Sequence, residues 1–344
     1  MSDDSSVLII YTGGTIGMIE DPKTHSLRPY DLDTLIAEIP ELKKFGYTLE
    51  KIEFDPPLDS SNVKPAVWVK LVEIIEENYD RFDGFVILHG TDTMSFTASA
   101  LSFMLENLTK PVILTGSQLP IGNIRTDGKE NLISSVEIAA ATIAGVPIIP
   151  EVCIYFENKL YRGNRTTKRN AEYFNAFYSA NYPSLADTGV YIKYHYDQIL
   201  VPKPGSKLKL HKSLNPNVAI IKIFPGMPND IIRAVCNIED LKAIVLESYG
   251  SGNAPTEEGF ICEIRNAIAS GIIVLNVTQC LQGSVDLGMY ETSSELERLG
   301  VISGYDITTE AAVTKLMVLL GEGYSKEETV MFLNKSLAGE ITTL

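Results

Sequence analysis

The chain of 344 residues has few of the residues that build metal centres or disulfide frameworks. Its four cysteines, Cys153, Cys236, Cys262 and Cys280, form no CxxC pair, and three stand in or beside apolar runs. They read as buried free thiols rather than bridges or metal ligands. The four histidines, His25, His89, His195 and His211, are equally dispersed, with no HxxxH pair and no histidine–carboxylate cluster. No cofactor and no metal is expected. No apolar run is long enough to span a membrane, and the opening MSDDSSVLIIYTGG is acidic where a secretory signal would be basic. Both features place the expectation in the reducing cytoplasm. Basic residues are scarce as well: 29 Lys and Arg against 44 Asp and Glu give a formal net charge of −15. That charge disfavours nucleic acid and anionic membranes as partners, although it leaves room for a locally basic pocket. No internal repeat or low-complexity tract is present.

What the chain does contain is an alternation of two periodicities. Short β-branched apolar runs at 7–11, 85–88, 112–115 and 152–156, and again at 218–223, 243–246 and 272–277, suit parallel strands covered on both faces. Between them lie helix candidates at 65–79, 95–107, 128–144, 230–237, 257–269 and 309–320. Asp127 with Glu130 and Ser325 with Glu328 have the spacing of a reciprocal capping box, and Gly145 and Gly271 supply helix stops. The pattern predicts an α/β fold with right-handed crossovers. At this length two domains are expected. The Pro-, Lys- and Gly-rich segment after His195 separates two strand–helix series, so the expected division is a catalytic domain over 1–195, a linker over 196–217 and a second α/β domain over 218–344.

Ligands of open parallel sheets bind beyond the carboxyl ends of the strands, which directs attention to the turns there. The first is YTGGTIG, residues 11–17, where paired glycines allow a sharp turn with exposed N–H groups. It carries neither GxGxxG nor GxxxxGK[ST], and MIEDP is a poor helix start for a phosphate site. Two threonine hydroxyls there suit a nucleophile, though a plain tight turn remains open on the residues alone. The second is HGTDT, residues 89–93, a hydroxyl beside a carboxylate; the alternative is that Thr91 or Asp92 only N-caps the following helix. The third is the basic turn RGNRTTKR, residues 162–169. Its arginines read as a solvated loop, whereas Lys168 beside a Thr–Asp pair would tune that pair. The fourth is Asp59-Ser60-Ser61-Asn62, suited either to the charged α-groups of an amino acid or to a turn and helix cap.

Taken together, YTGGTIG, DGFVILHGTDTM, VILTGSQ, LYRGNRTTK, SYGSGNAP and TQCLQGSV resemble the bacterial-type L-asparaginases, most closely the cytoplasmic type I branch. The match runs in the family's order along nearly the whole chain. The resemblance implies a larger N-terminal domain with a mainly parallel sheet and helices on both faces, plus a smaller C-terminal α/β domain. It implies hydrolysis of L-asparagine by a threonine nucleophile through a β-aspartyl intermediate. It implies assembly as a homodimer or dimer of dimers, with each site shared between two subunits. Residue by residue, Thr15 matches the attacking threonine, and Thr91, Asp92 and Lys168 match the second threonine and its relay. Asp59, Ser60 and Ser61 match the grip on the substrate's α-groups, joined by Thr91 and Asp92. Asn253 matches an asparagine reached across the subunit interface.

Two departures from the family pattern are visible. Leu27 stands where members often carry a tyrosine bonded to the nucleophile, with Tyr30 three residues on, so Tyr290 is the favoured substitute. Glu247 stands where some type I enzymes carry an effector-binding arginine, although Thr167 and residues 278–280 match the other contacts. That inversion of charge argues against allosteric activation by asparagine. Competing readings are a related amidohydrolase with substantial glutaminase activity, a non-catalytic amino-acid sensor, and an RNA-directed amidotransferase subunit. The sensor reading requires loss of Thr91, Asp92 or Lys168, all of which are present. The amidotransferase subunit carries an extra N-terminal domain, and the acidic charge argues against RNA.

Overall fold

The computed structural model describes residues 5–20, 27–29, 32–288 and 291–342. The chain divides into two compact units, Met1–Leu210 and His211–Leu344. In the first, the apolar runs pair into an eight-stranded sheet. Its spatial order is Ile192–Tyr194, Ala186–Thr188, Lys159–Arg162, Val152–Phe156, Val112–Thr115, Gly84–Leu88, Ser6–Gly13 and Thr48–Leu58. The five strands from Val152–Phe156 to Thr48–Leu58 are parallel, and the other three are added antiparallel.

Alternate residues of the first strand face opposite layers. Val7, Ile9 and Tyr11 join a core with Val86, Leu88, Ile113, Leu132 and Val136, the last two from the helix Gly128–Ala140. Leu8 and Ile10 are just as buried, so both faces are covered. The helices Pro65–Asn78 and Met94–Met104 are tied together by Trp68 Nε1 donating to Thr97 Oγ1 at 3.0 Å. The second unit holds a fully parallel sheet ordered Val218–Lys222, Ala243–Ser248, Ile273–Thr278 and Ile302–Ser303, with its own core around Ile244, Leu246, Phe260, Ile264 and Val274.

Several local expectations are corrected. The helix expected over 95–107 spans Met94–Met104, because Leu105–Glu106 pairs instead with Lys209–Leu210. The helix expected over 128–144 ends at Ala140; Thr142–Ile143 and Val146–Pro147 form a hairpin that places Gly145 in its turn. Asp127 makes no side-chain cap, since its carboxylate is taken by the backbone N–H groups of Gln118 and Leu119. The box at Ser325 and Glu328 does form. Of the cysteines only Cys153 is buried, while Cys280 is exposed. Arg162 and Arg165 are not solvated. Both are 2 % exposed, and Arg162 is clamped by Glu151 at 2.6 Å under the Tyr182 ring.

Candidate active site

Register brings the strand-end turns to one edge. Tyr11 is level with Leu88, Leu88 with Thr115, and Gly13 with Leu58, so the segments after four adjacent parallel strands leave the sheet together. They also interlock. Gly14 has φ +92°, and a Cβ there would stand 2.5 Å from Gly90 N. A Cβ on Gly90 would stand 2.5 Å from Ser60 Oγ. Both glycines are therefore demanded by the approach of one turn to the next. Thr93 Oγ1 completes the lock by donating to Ser60 O at 2.7 Å.

The two threonines of the first turn differ. Thr12 is buried and its hydroxyl donates to Leu88 O at 2.9 Å, joining two strands. Thr15 opens the short 3-10 turn Thr15–Gly17, is partly exposed, and makes no side-chain hydrogen bond to the described residues. The turn is pinned from below by Tyr11, whose hydroxyl donates to Gly17 O at 3.0 Å. Burial, with help from Glu53, pushes that phenol up to about 12, so it stays a donor.

Thr91, Asp92 and Lys168 meet. Lys168 Nζ donates to Thr91 Oγ1 at 2.8 Å and to Asp92 Oδ1 at 2.6 Å. Neither Thr91 nor Asp92 caps the next helix: Thr93 holds the N-cap position, and its hydroxyl, committed to Ser60 O, makes no capping bond. Lys168 is delivered by the pairing of Thr167–Lys168 with Phe177–Tyr178. Asp59 caps the turn Ser60–Asn62, accepting from Ser61 N at 2.9 Å and Ser61 Oγ at 2.8 Å. Those two bonds hold its carboxyl below the usual carboxylate range, leaving an exposed anion beside the turns. Asn253 lies in the other compact unit, in the turn after Ala243–Ser248, where its backbone bridges Tyr249. Tyr290 and Tyr30 lie outside the described residues. Leu27 pairs through its backbone with Glu20. Glu247 accepts from Lys222 at 2.8 Å and Thr309 at 2.7 Å.

Two participants at this edge were missed. His89 is fully buried: its Nδ1 donates to Gly90 O at 2.7 Å, and its Nε2 accepts from Thr97, which accepts from Trp68. Burial lowers its pKa to about 4, so the ring is neutral and sets the Gly90 peptide. Gln118, in the turn after Val112–Thr115, accepts from Thr91 Oγ1 at 3.4 Å. The strand-end rule, applied to residues 112–115 as it was to 85–88, points to it.

Chemically, the edge combines a hydroxyl on a tight turn with no side-chain partner among the described residues, a second hydroxyl in contact with an ammonium, and a fixed carboxylate. Comparison with known proteins identifies the type. The asparaginase N-terminal family profile matches residues 6–200, and the glutaminase/asparaginase C-terminal domain matches residues 217–332. The chain belongs to the asparaginase family. It is 42 % identical to L-asparaginase 1 of Escherichia coli K12, over 98 % of both chains. The crystal structure of L-asparaginase I from Vibrio cholerae superposes with a TM-score of 0.89 at 40 % identity, covering 98 % of this chain and 99 % of that one. The chain is also 39 % identical to a mouse 60 kDa lysophospholipase, matching 99 % of its own length and 63 % of that protein.

Proposed function

We propose that this asparaginase-family protein hydrolyses the side-chain amide of L-asparagine to L-aspartate and ammonia, with Thr15 as nucleophile. The observation that carries the reading is the contact of Lys168 with both Thr91 and Asp92 at the sheet edge that presents Thr15. An amide is a weak electrophile and a threonine hydroxyl a weak nucleophile at neutral pH, so each needs assistance. Thr15 Oγ1 attacks the amide carbon, and backbone N–H groups of the interlocked turns stabilise the oxyanion. The Thr15 proton passes to the departing nitrogen, ammonia leaves, and a β-aspartyl ester remains. Water then attacks the ester, returns a proton to Thr15 and releases aspartate. Thr91, with Lys168 and Asp92, moves protons in both halves.

Asp59, Ser60 and Ser61 hold the α-groups, the ionised Asp59 pairing with the ammonium. Tyr290 is assigned to assist Thr15, and Asn253 to complete the site from a neighbouring subunit. The working form is accordingly a homo-oligomer, acting on a metabolite in the cytoplasm. With Glu247 engaged by Lys222 and Thr309, a second asparagine is not expected to activate it.

The test is ammonia release measured across asparagine and glutamine concentrations without added metal. Hyperbolic release from asparagine is expected. No release from either amide overturns the reading, stronger release from glutamine reassigns the substrate, and a sigmoidal curve overturns the loss of activation.

A further inference from the structure

Gln118 completes a hydrogen-bond sequence around Thr91. Its Nε2 donates to Tyr173 O at 3.1 Å and its Oε1 lies 3.4 Å from Thr91 Oγ1, while Lys168 Nζ donates to Thr91 Oγ1 at 2.8 Å. A backbone carbonyl only accepts, so the NH2 end of the amide faces Tyr173 and the oxygen faces Thr91. An ammonium only donates, so Thr91 accepts from Lys168 and its own proton is directed at Gln118. One order remains: Lys168 to Thr91 to Gln118.

The base of Gln118 is fixed. Its N–H lies 3.1 and 3.0 Å from the two carboxylate oxygens of Asp127, and the Leu119 N–H donates to the same group at 3.2 Å. Just before it, Gly116 O accepts from Asn131 Nδ2 at 3.0 Å, and a Cβ on Gly116 would stand 2.4 Å from His89 O. At its far end the amide holds Tyr173, which lies in the connection between Thr167–Lys168 and Phe177–Tyr178. One side chain thus orients the hydroxyl and tethers the hairpin that carries the lysine. At 3.4 Å the hydroxyl contact is long for O–H···O, so it sets a direction while leaving the proton available to a substrate.

We propose that Gln118 is a positioning residue for amide hydrolysis, setting the direction of the Thr91 proton and holding Lys168 against it; this rests on the proposed function. The neutral amide is specific to the task. A glutamate accepts but cannot donate to Tyr173, and an apolar side chain of the same length does neither.

The experiment compares wild type, Gln118→Met and Gln118→Glu in steady-state ammonia release from asparagine, with melting temperatures recorded. Gln118→Met keeps length and volume, and is expected to lower kcat about tenfold or more with KM within about threefold. Gln118→Glu keeps the acceptor for Thr91 but loses the donor to Tyr173, and is expected to lose about three- to fivefold in kcat, less than the Met variant. A Met variant within about twofold of wild type in kcat, or one changed only in KM, overturns the proposal. So does a Glu variant as impaired as the Met variant. If the Met variant fails to fold, the Glu variant decides by the same limit. A wild-type protein that releases no ammonia defeats the reading of function itself, an outcome distinct from active wild type with indifferent variants.

Discussion

Thr12 and Thr15 flank one Gly-Gly pair, and the residues alone leave them equivalent as hydroxyl donors. The structure separates them: Thr12 is committed to Leu88 O, and Thr15 makes no side-chain hydrogen bond among the described residues. Thr15→Ala is therefore expected to lower kcat by about three orders of magnitude or more at unchanged stability. Thr12→Val deletes a buried donor and is expected to cost about 1–3 kcal/mol of stability while turnover survives. Urea unfolding and kcat on both variants check the pair, and the reverse pattern would exchange their roles. His89 makes a second prediction at this scale. Its pKa falls from 6.5 to about 4 on folding, so between those values the unfolded chain binds the extra proton. Its contribution to stability is full above pH 6.5 and is lost as pH falls toward 4, a change of about 3 kcal/mol. Stability at pH 7 and pH 4.5, for wild type and His89→Gln, isolates it; an equal acid loss in both proteins would refute the assignment. The role of His89 was illegible in HGTDT, because its ring partner Thr97 and the Trp68 bonded to that threonine come from two different helices.

At the scale of elements, the strands at 7–11, 85–88, 112–115 and 152–156 were legible because residues covered on both faces must be apolar throughout. Thr48–Leu58, largely exposed at the sheet's edge, carries no such run and was not legible. Helix ends were also less legible, since they depend on partners remote in sequence. Residues 105–106 continue an apolar pattern, yet Lys209–Leu210 recruits them as a strand. Asp127 has the spacing of a cap, yet the turn at Gln118 claims its carboxylate. The arginines of residues 162–169 carry the same lesson. A basic run reads as surface until a buried carboxylate is found for it, and Glu151 lies eleven positions earlier in the chain. Glu151 and Arg162 side chains are each 3 % exposed, so Glu151→Ala strands a buried cation and is expected to cost about 3–5 kcal/mol. Replacing both residues by Met should recover most of that loss, because a paired apolar substitution removes the desolvation penalty along with the attraction. Ser325→Ala, at the capping box that did form, should cost only about 1 kcal/mol. Chemical denaturation of the four proteins ranks these effects, and a Glu151→Ala loss no larger than that of Ser325→Ala would contradict the buried-pair account.

For the whole molecule, alternating periodicities and a polar segment near residue 200 were enough to anticipate two α/β units. No feature of the residues alone ties Asn253 to the site proposed at Thr15; that assignment rests on the family resemblance. Thr15, Thr91, Asp92 and Lys168 belong to the unit Met1–Leu210, and Asn253 to the unit His211–Leu344. If Asn253 serves the site of a neighbouring subunit, Thr15→Ala and Asn253→Ala are each inactive for reasons located in different halves of a shared site. In a mixed dimer one site then combines both defects, and the other combines the intact Thr15 of one chain with the intact Asn253 of its partner. Random pairing on co-expression makes half the dimers mixed, so about a quarter of wild-type turnover should return from two inactive parents. A site built within one chain allows no such recovery, because every chain present carries a defect in its own site. Activity of the co-expressed pair, normalised to purified protein whose oligomeric mass is measured in the same preparation, decides between the two arrangements. No recovery from two inactive parents in a preparation that is demonstrably mixed would place Asn253 in its own chain's site, and an active Asn253→Ala parent would place it outside the site altogether.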